Sequence, residues 1–326
     1  MKIENLKPFN GQHCETTATG TLLQQIGIEL SEPMLFGLGE GLGFIYWNMK
    51  TMDSPFIGGR IKTDLLTMNI ARNLHLELTV KETSSSQKAW TEVKKLLDNG
   101  QTVGLKLDCY HLEYFSNPFH FAGHYAAIYG YDHQNAFLVD TIQQGGLVHT
   151  SLESLALARA EKGPMASKNL YYTLQKKGRE TDLREIIPIA IRNNATEYLN
   201  PPITNISYKG IVKTGNEIVK WFHASKDIEG EFKLTAMMME KAGTGGALFR
   251  NLYRDFLKES NELLQLDLLK TGYEAFKETA ELWTSVAKLF EKVSETKELK
   301  YIRQASDLLK TISEKERDTM ELLATL

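Results

Sequence analysis

The chain has 326 residues, of which 42% are hydrophobic and 24% charged, and a formal net charge of −3. This is the composition of an ordinary globular protein, long enough for about two domains and for a core that needs no disulfide staples. The near-neutral balance argues against nucleic acid and membrane surfaces as partners, and no apolar run is long enough for a membrane span.

The segment MKIENLKPFNGQHCE has no apolar stretch of the kind a secretory signal needs. A cytoplasmic location is expected, where Cys14 and Cys109 stay reduced. The spacing of Ala18, Leu22, Leu23 and Ile26 predicts a first helix over 14–27. A glycine-rich run, Phe36-Gly37-Leu38-Gly39-Glu40-Gly41-Leu42-Gly43-Phe44, leads into a strand over 44–48. Residues 86–99 read as a helix with Trp90, Val93, Leu96 and Leu97 on one face and Gly100 as its stop. Strands are expected over 102–108, 124–131 and 136–140, the last two joined by Asp132-His133-Gln134-Asn135, a turn-forming cluster. The charged segment 176–188 marks a boundary. It divides an α+β domain over 1–175 from an all-helical domain over 176–326, with helices over 182–198, 210–224, 230–242, 246–270, 272–293 and 297–324.

Three residues carry the candidate chemistry. Cys14 stands at the start of the first helix, where the macrodipole and backbone N–H groups favour a thiolate and can hold a developing oxyanion. His124 opens an apolar strand whose small residues leave room for a packed helix, the setting for a Cys–His pair. Asp140 ends the next strand. If Gly130 pairs with Ala136 across a five-residue loop, His124 and Asp140 share a sheet face and can hydrogen-bond, which would fix the imidazole tautomer. Each residue alone has an ordinary explanation: a buried thiol, a core imidazole, a strand-ending carboxylate. The inference rests on their conjunction and their order along the chain, which resembles that of papain-like enzymes.

Gly11-Gln12-His13-Cys14-Glu15-Thr16, Ser31-Glu32 with the run 36–44, and Gly123-His124-Tyr125 through Asp132 and Asp140 resemble the butirosin biosynthesis protein H family in its N-terminal domain. The stretch from Gly243 to Leu257 resembles the helical domain that often follows it. The resemblance implies a papain-like cysteine peptidase fold, similar also to bacteriocin-processing peptidases, with Cys14 as nucleophile, His124 as base and Asp140 as its orienter. The family's namesake moves an aminoacyl group from an acyl carrier protein thioester to an aminoglycoside amine. Here the resemblance implies an acyltransferase with a small-molecule amine acceptor and an acyl carrier protein as a further partner; because aminolysis must compete with water, the helical domain is expected to serve as a lid, or as the acceptor or carrier site. Water as acceptor would make the same triad a peptidase or amidase, and a non-catalytic binding protein on this fold is a third reading. The peptidases place an oxyanion-hole Gln six residues before the Cys, where this chain has Pro8. Asn10, Gln12 or backbone N–H groups are the substitutes.

Around the glycines, Gly39, Glu40 and Gly41 are candidate contacts for an acyl chain, a pantetheine arm or an acceptor amine, set against simple tight turns and an exposed loop carboxylate. Cys109 reads as structural. Cys109, His111, His120 and His124 lack a familiar zinc spacing, so no metal and no cofactor is expected. Arg250 and Arg254, one helical turn apart, are set between a carrier-phosphate contact and a solvated helix face. Met237, Met238 and Met239 read as core packing. Oligomeric state stays open, a homodimer through the long C-terminal helices being one arrangement.

Overall fold

The computed structural model describes every residue except Lys50, Thr51, Asp53, Pro164, Arg179, Glu180 and residues 241–245. Gly243, Thr244 and Gly245 of the second motif, the last two residues of the helix expected over 230–242, and Arg179 and Glu180 of the charged segment lie outside the described residues. In chain order come α1 (Cys14–Gln25), α2 (Glu32–Leu38), β1 (Leu42–Trp47), β2 (Phe56–Arg60), α3 (Leu65–Asn73), β3 (Leu76–Lys81), α4 (Ser86–Asp98) and β4 (Val103–Leu107). Next are β5 (His124–Tyr131), β6 (Asn135–Val139), β7 (Leu147–Ser151), α5 (Leu152–Ala160) and β8 (Tyr171–Lys176). The helices α6 (Leu183–Leu199), α7 (Ser207–Ala224), α8 (Ile228–Glu240), α9 (Ala247–Leu264), α10 (Asp267–Thr296) and α11 (Leu299–Leu323) follow. Among the described residues, no helix is long and apolar enough to cross a membrane.

Two compact units emerge, one made of Met1–Leu35 and Thr63–Thr181, the other of Phe36–Lys62 and Asp182–Leu326. The division is discontinuous, unlike the contiguous split expected at 175/176. Residues 36–62 join the helical unit because β1 is tied to the chain before α7. The Tyr46 N–H donates to the Asn205 carbonyl at 2.9 Å, and the Asn205 amide returns a bond to the Tyr46 carbonyl at 2.9 Å. Phe44, Tyr46 and Ile57 are buried with Ile211, Trp283 and Phe290 in one core.

In the first unit, six antiparallel strands lie in the order β3-β8-β4-β5-β6-β7. Alternate residues Val103, Leu105, Leu107, Ala126 and Ile128 bury one face with Val93 and Leu97 of α4 and Leu155 and Ala158 of α5. α1 packs along β5. Its Thr19 hydroxyl bonds Thr67 at 2.8 Å and the Tyr172 hydroxyl at 3.0 Å. The β5–β6 register departs from the expected one. Tyr131 pairs with Ala136 and Gly130 with Phe137, but an irregularity between Ile128 and Gly130 restores Ile128↔Leu138 and Ala127↔Val139. The bulge therefore returns the ladder to the parity that puts His124 and Asp140 on one face.

Candidate functional site

Two carboxylates fix the N-terminus of α1, Glu32 from α2 and Glu15 from the helix's own first turn. Glu32 accepts the N–H groups of Gln12 and His13 at 2.9 Å each and the Thr16 hydroxyl at 2.7 Å. This anchors the chain entering the helix, and burial raises the Glu32 carboxyl pKa against those three donors. Glu15 accepts both the N–H and the hydroxyl of Thr67 at 3.1 Å, joining the first turn of α1 to that of α3. The cap residue His13 makes no side-chain cap; its carbonyl accepts the Thr17 N–H at 2.9 Å. Cys14 is thus the first helical residue, half-buried, with a free thiol. First-turn N–H groups have no carbonyl four residues behind them, so the thiol sits where a helix welcomes negative charge.

His124 Nε2 lies 2.7 Å from Asp140 Oδ2. Asp140 is fully buried, and three donors hold it: this imidazole, the Tyr114 hydroxyl at 2.7 Å on the same oxygen, and the Thr141 N–H at 2.6 Å on Oδ1. The Phe115 ring meets the imidazole edge-on, 5.3 Å between centroids. Burial opposes charge on His124, yet Asp140 first, then the sulfurs of Cys109 and Cys14, hold its pKa well above the ordinary 6.5. Both sulfurs therefore lie within electrostatic reach of one ring. They differ in access. Cys109 is 2% exposed, and burial pushes its thiol pKa up, with His124 pulling the other way. Cys14 is only half-buried. A further bond, from the Ile142 N–H to the Gly11 carbonyl at 3.0 Å, ties the loop after Asp140 to the loop before Cys14.

The side chains of Asn10 and Gln12 are exposed, and the Gln12 N–H is engaged by Glu32. Gly39, Glu40 and Gly41 lie in the other unit. Glu40 is not an exposed loop carboxylate: it is 5% exposed and accepts the Asn193 amide at 3.0 Å. The glycines answer to packing. Gly37 lies inside α2, where a Cβ would overlap the Phe256 ring, and a Cβ at Gly41 would crowd Phe36. Arg250 is neither solvated nor available to phosphate, because it is fully buried against Glu316. Arg254 is held by Asp255 and Asn251 at 2.7 Å each. Of the three methionines only Met239 is buried; Met237 is exposed.

Tyr114 and Glu32 were not singled out as site residues from the sequence. Tyr114 lies 26 positions from its carboxylate and Glu32 lies 20 from the N–H it accepts, so no local pattern marks them.

A family model described as butirosin biosynthesis protein H, N-terminal, matches residues 13–141, a span containing Cys14, His124 and Asp140. A second, described as a domain of unknown function (DUF4872), matches residues 153–323. The two matches meet between residues 141 and 153, whereas the structural units exchange chain at residues 35/36, 62/63 and 181/182. Comparison with curated proteins gives no match.

Proposed function

The chain belongs to the DUF4872 family and carries a butirosin biosynthesis protein H N-terminal region, and on that premise we propose that it is a thiol-dependent acyltransferase of secondary-metabolite biosynthesis. The family name itself speaks for a biosynthetic enzyme of the antibiotic class. The observation that carries the reading is the His124–Asp140 bond of 2.7 Å, together with a half-buried Cys14 at the start of α1 whose sulfur acts electrostatically on that imidazole. A helix packed on an antiparallel sheet, with Cys, His and Asp in that chain order, also supports a papain-like core.

In the proposed reaction the Cys14 thiolate attacks the carbonyl of a carrier or pantetheine thioester. The tetrahedral intermediate collapses, its C–S bond to the leaving thiol breaks, and the His124 imidazolium supplies the proton that thiol takes. A substrate amine then attacks the Cys14 acyl-enzyme. His124 accepts the amine proton, and the Cys14 thiolate leaves as the amide forms. Asp140, held by Tyr114 and Thr141, keeps the imidazole in one orientation and stabilises its cation through both steps. First-turn N–H groups of α1 take the place of the side-chain oxyanion donor absent at Pro8. The helical unit is assigned recognition of the acceptor or carrier.

The test is intact-protein mass spectrometry after incubation with aminoacyl pantetheine thioesters, followed by added amine or buffer alone. Acyl mass should appear on Cys14, disappear faster with amine than with water, and be absent in Cys14→Ala. Turnover retained by Cys14→Ala would defeat the proposal, and loss of acyl mass at one rate with or without amine would make the protein a hydrolase.

A further inference from the structure

Beyond the Cys14 centre, the first unit gathers a second set of donor groups after β4. Asp108 follows β4 and caps the 3-10 turn Cys109–His111, its Oδ1 accepting the Tyr110 N–H at 2.8 Å. The turn brings His111 back beside Asp108. The Cys109 N–H donates to the Phe121 carbonyl at 3.2 Å, which draws the far end of the following loop alongside and delivers His120. The Tyr110 ring stacks on His120 with 4.1 Å between centroids. His120 Nδ1 stands 3.4 Å from Asp108 Oδ1. One donor atom from each of Asp108, His111 and His120 lies within 4.8 Å of the others.

We infer that Asp108, His111 and His120 form a binding site for a zinc-class divalent transition metal. Two imidazoles and a carboxylate are the donors such ions favour, whereas calcium and magnesium call for oxygen-rich sets. Bound to zinc, tetrahedral ligand atoms stand about 3.3 Å apart, so the cluster closes by small side-chain rotations, for which the 60% exposed His120 is free. A carboxylate backs the site as well. The Asp108 N–H donates to the Ala158 carbonyl at 2.9 Å, fixing the end of α5 against the turn. The residue that ends α5, Glu161, then places Oε2 2.7 Å from His111 Nε2. Carboxylates in this position orient metal-bound imidazoles and raise their basicity. The charges agree: Asp108 and Glu161 bring two negative charges, which a divalent ion balances with both imidazoles neutral.

The site stands independently of the proposed reaction. A metal here would clamp the Asp108–His111 turn to the end of the loop that leads, four residues after His120, into His124. Its effect would be to stiffen the arm that carries the imidazole.

The experiment is zinc titration of the chelator-stripped full chain by calorimetry, repeated with a competing chromophoric chelator. Saturation at one equivalent is expected, weakened about 100-fold by His120→Ala and by His111→Ala, about tenfold by Glu161→Gln, and unchanged by Cys14→Ser. The cobalt-loaded protein should lack a thiolate-to-metal charge-transfer band. His120 is exposed, so His120→Ala should fold as the parent does, checked by circular dichroism, and it decides the matter if His111→Ala does not fold. Affinity unchanged in His120→Ala, loss of binding in Cys14→Ser, or no saturable binding by the parent would each overturn the inference.

Discussion

Each unit buries an ionic pair, and the two pairs differ in what surrounds them. In the helical unit Arg250 and Glu316 are both wholly buried, joined by bonds of 2.8 Å from Nε to Oε1 and from Nη2 to Oε2. Trp283 donates to Glu316 at 2.8 Å, Tyr198 donates to its other oxygen, and Arg250 Nη1 donates to the Gly59 carbonyl at 2.9 Å. The arginine lies over the Trp283 ring, 4.9 Å from its centroid. That pair is enclosed by apolar helices and can only hold them in register. In the first unit Asp140 is as well satisfied, but its bond to His124 uses one of the two ring nitrogens, and a half-buried thiol stands within reach of the ring's charge. Buried charge alone does not mark chemistry. The proposed function rests on the half-buried thiol within reach of the second pair.

Breaking each pair should therefore give opposite signatures. Asp140→Asn is expected to lower kcat for acyl transfer between about 10^2- and 10^4-fold while leaving the fold intact, read by steady-state kinetics. A fall in stability with kcat preserved would put this pair in the same class as Arg250–Glu316. Arg250→Ala should cost about 3–5 kcal/mol in urea unfolding, because it leaves Glu316 charged and buried, and Arg250→Met with Glu316→Leu should recover part of that loss. Glu32→Ala strands the Gln12 and His13 N–H groups and should cost about 2 kcal/mol. It should also lower kcat more than it raises KM, since the affected loop leads directly into Cys14.

The smallest effect separates the two centres by pH. His124 has its pKa raised in the folded chain, so the stability it contributes is fully present below about pH 6.5 and is lost as pH rises through the higher folded value. The stability advantage of the parent over His124→Asn, followed by urea unfolding from pH 6 upward, should shrink with rising pH. An advantage that grows with pH would contradict the assignment.

What was legible in the sequence follows physical range. The helical tail could be read because its apolar residues recur every three or four positions, although the break between α9 and α10 comes at Gln265, in a left-handed conformation, and not near residue 271. β5 and β6 were legible from their apolar runs. The face shared by His124 and Asp140 came out as expected through a bulge near Tyr129 that no residue pattern announced. α2 was hidden because Gly37, a helix-weakening residue, sits within it to admit Phe256. The membership of residues 36–62 in the helical unit depends on bonds such as Tyr46 to Asn205, about 160 positions apart, which leave no local trace. Arg250 read as a surface residue because its partner Glu316 is 66 positions away.

The central claim, that Cys14 works as a thiol activated by His124, meets its most direct test in alkylation kinetics. Iodoacetamide labelling of the parent, Cys109→Ala and His124→Asn chains across pH, with modified sites located by mass spectrometry, reads the pair without any substrate. The expected result is labelling at Cys14 far ahead of Cys109, and slowed severalfold in His124→Asn. Cys14 reacting as an ordinary thiol in all three chains, or more slowly than Cys109, would contradict it.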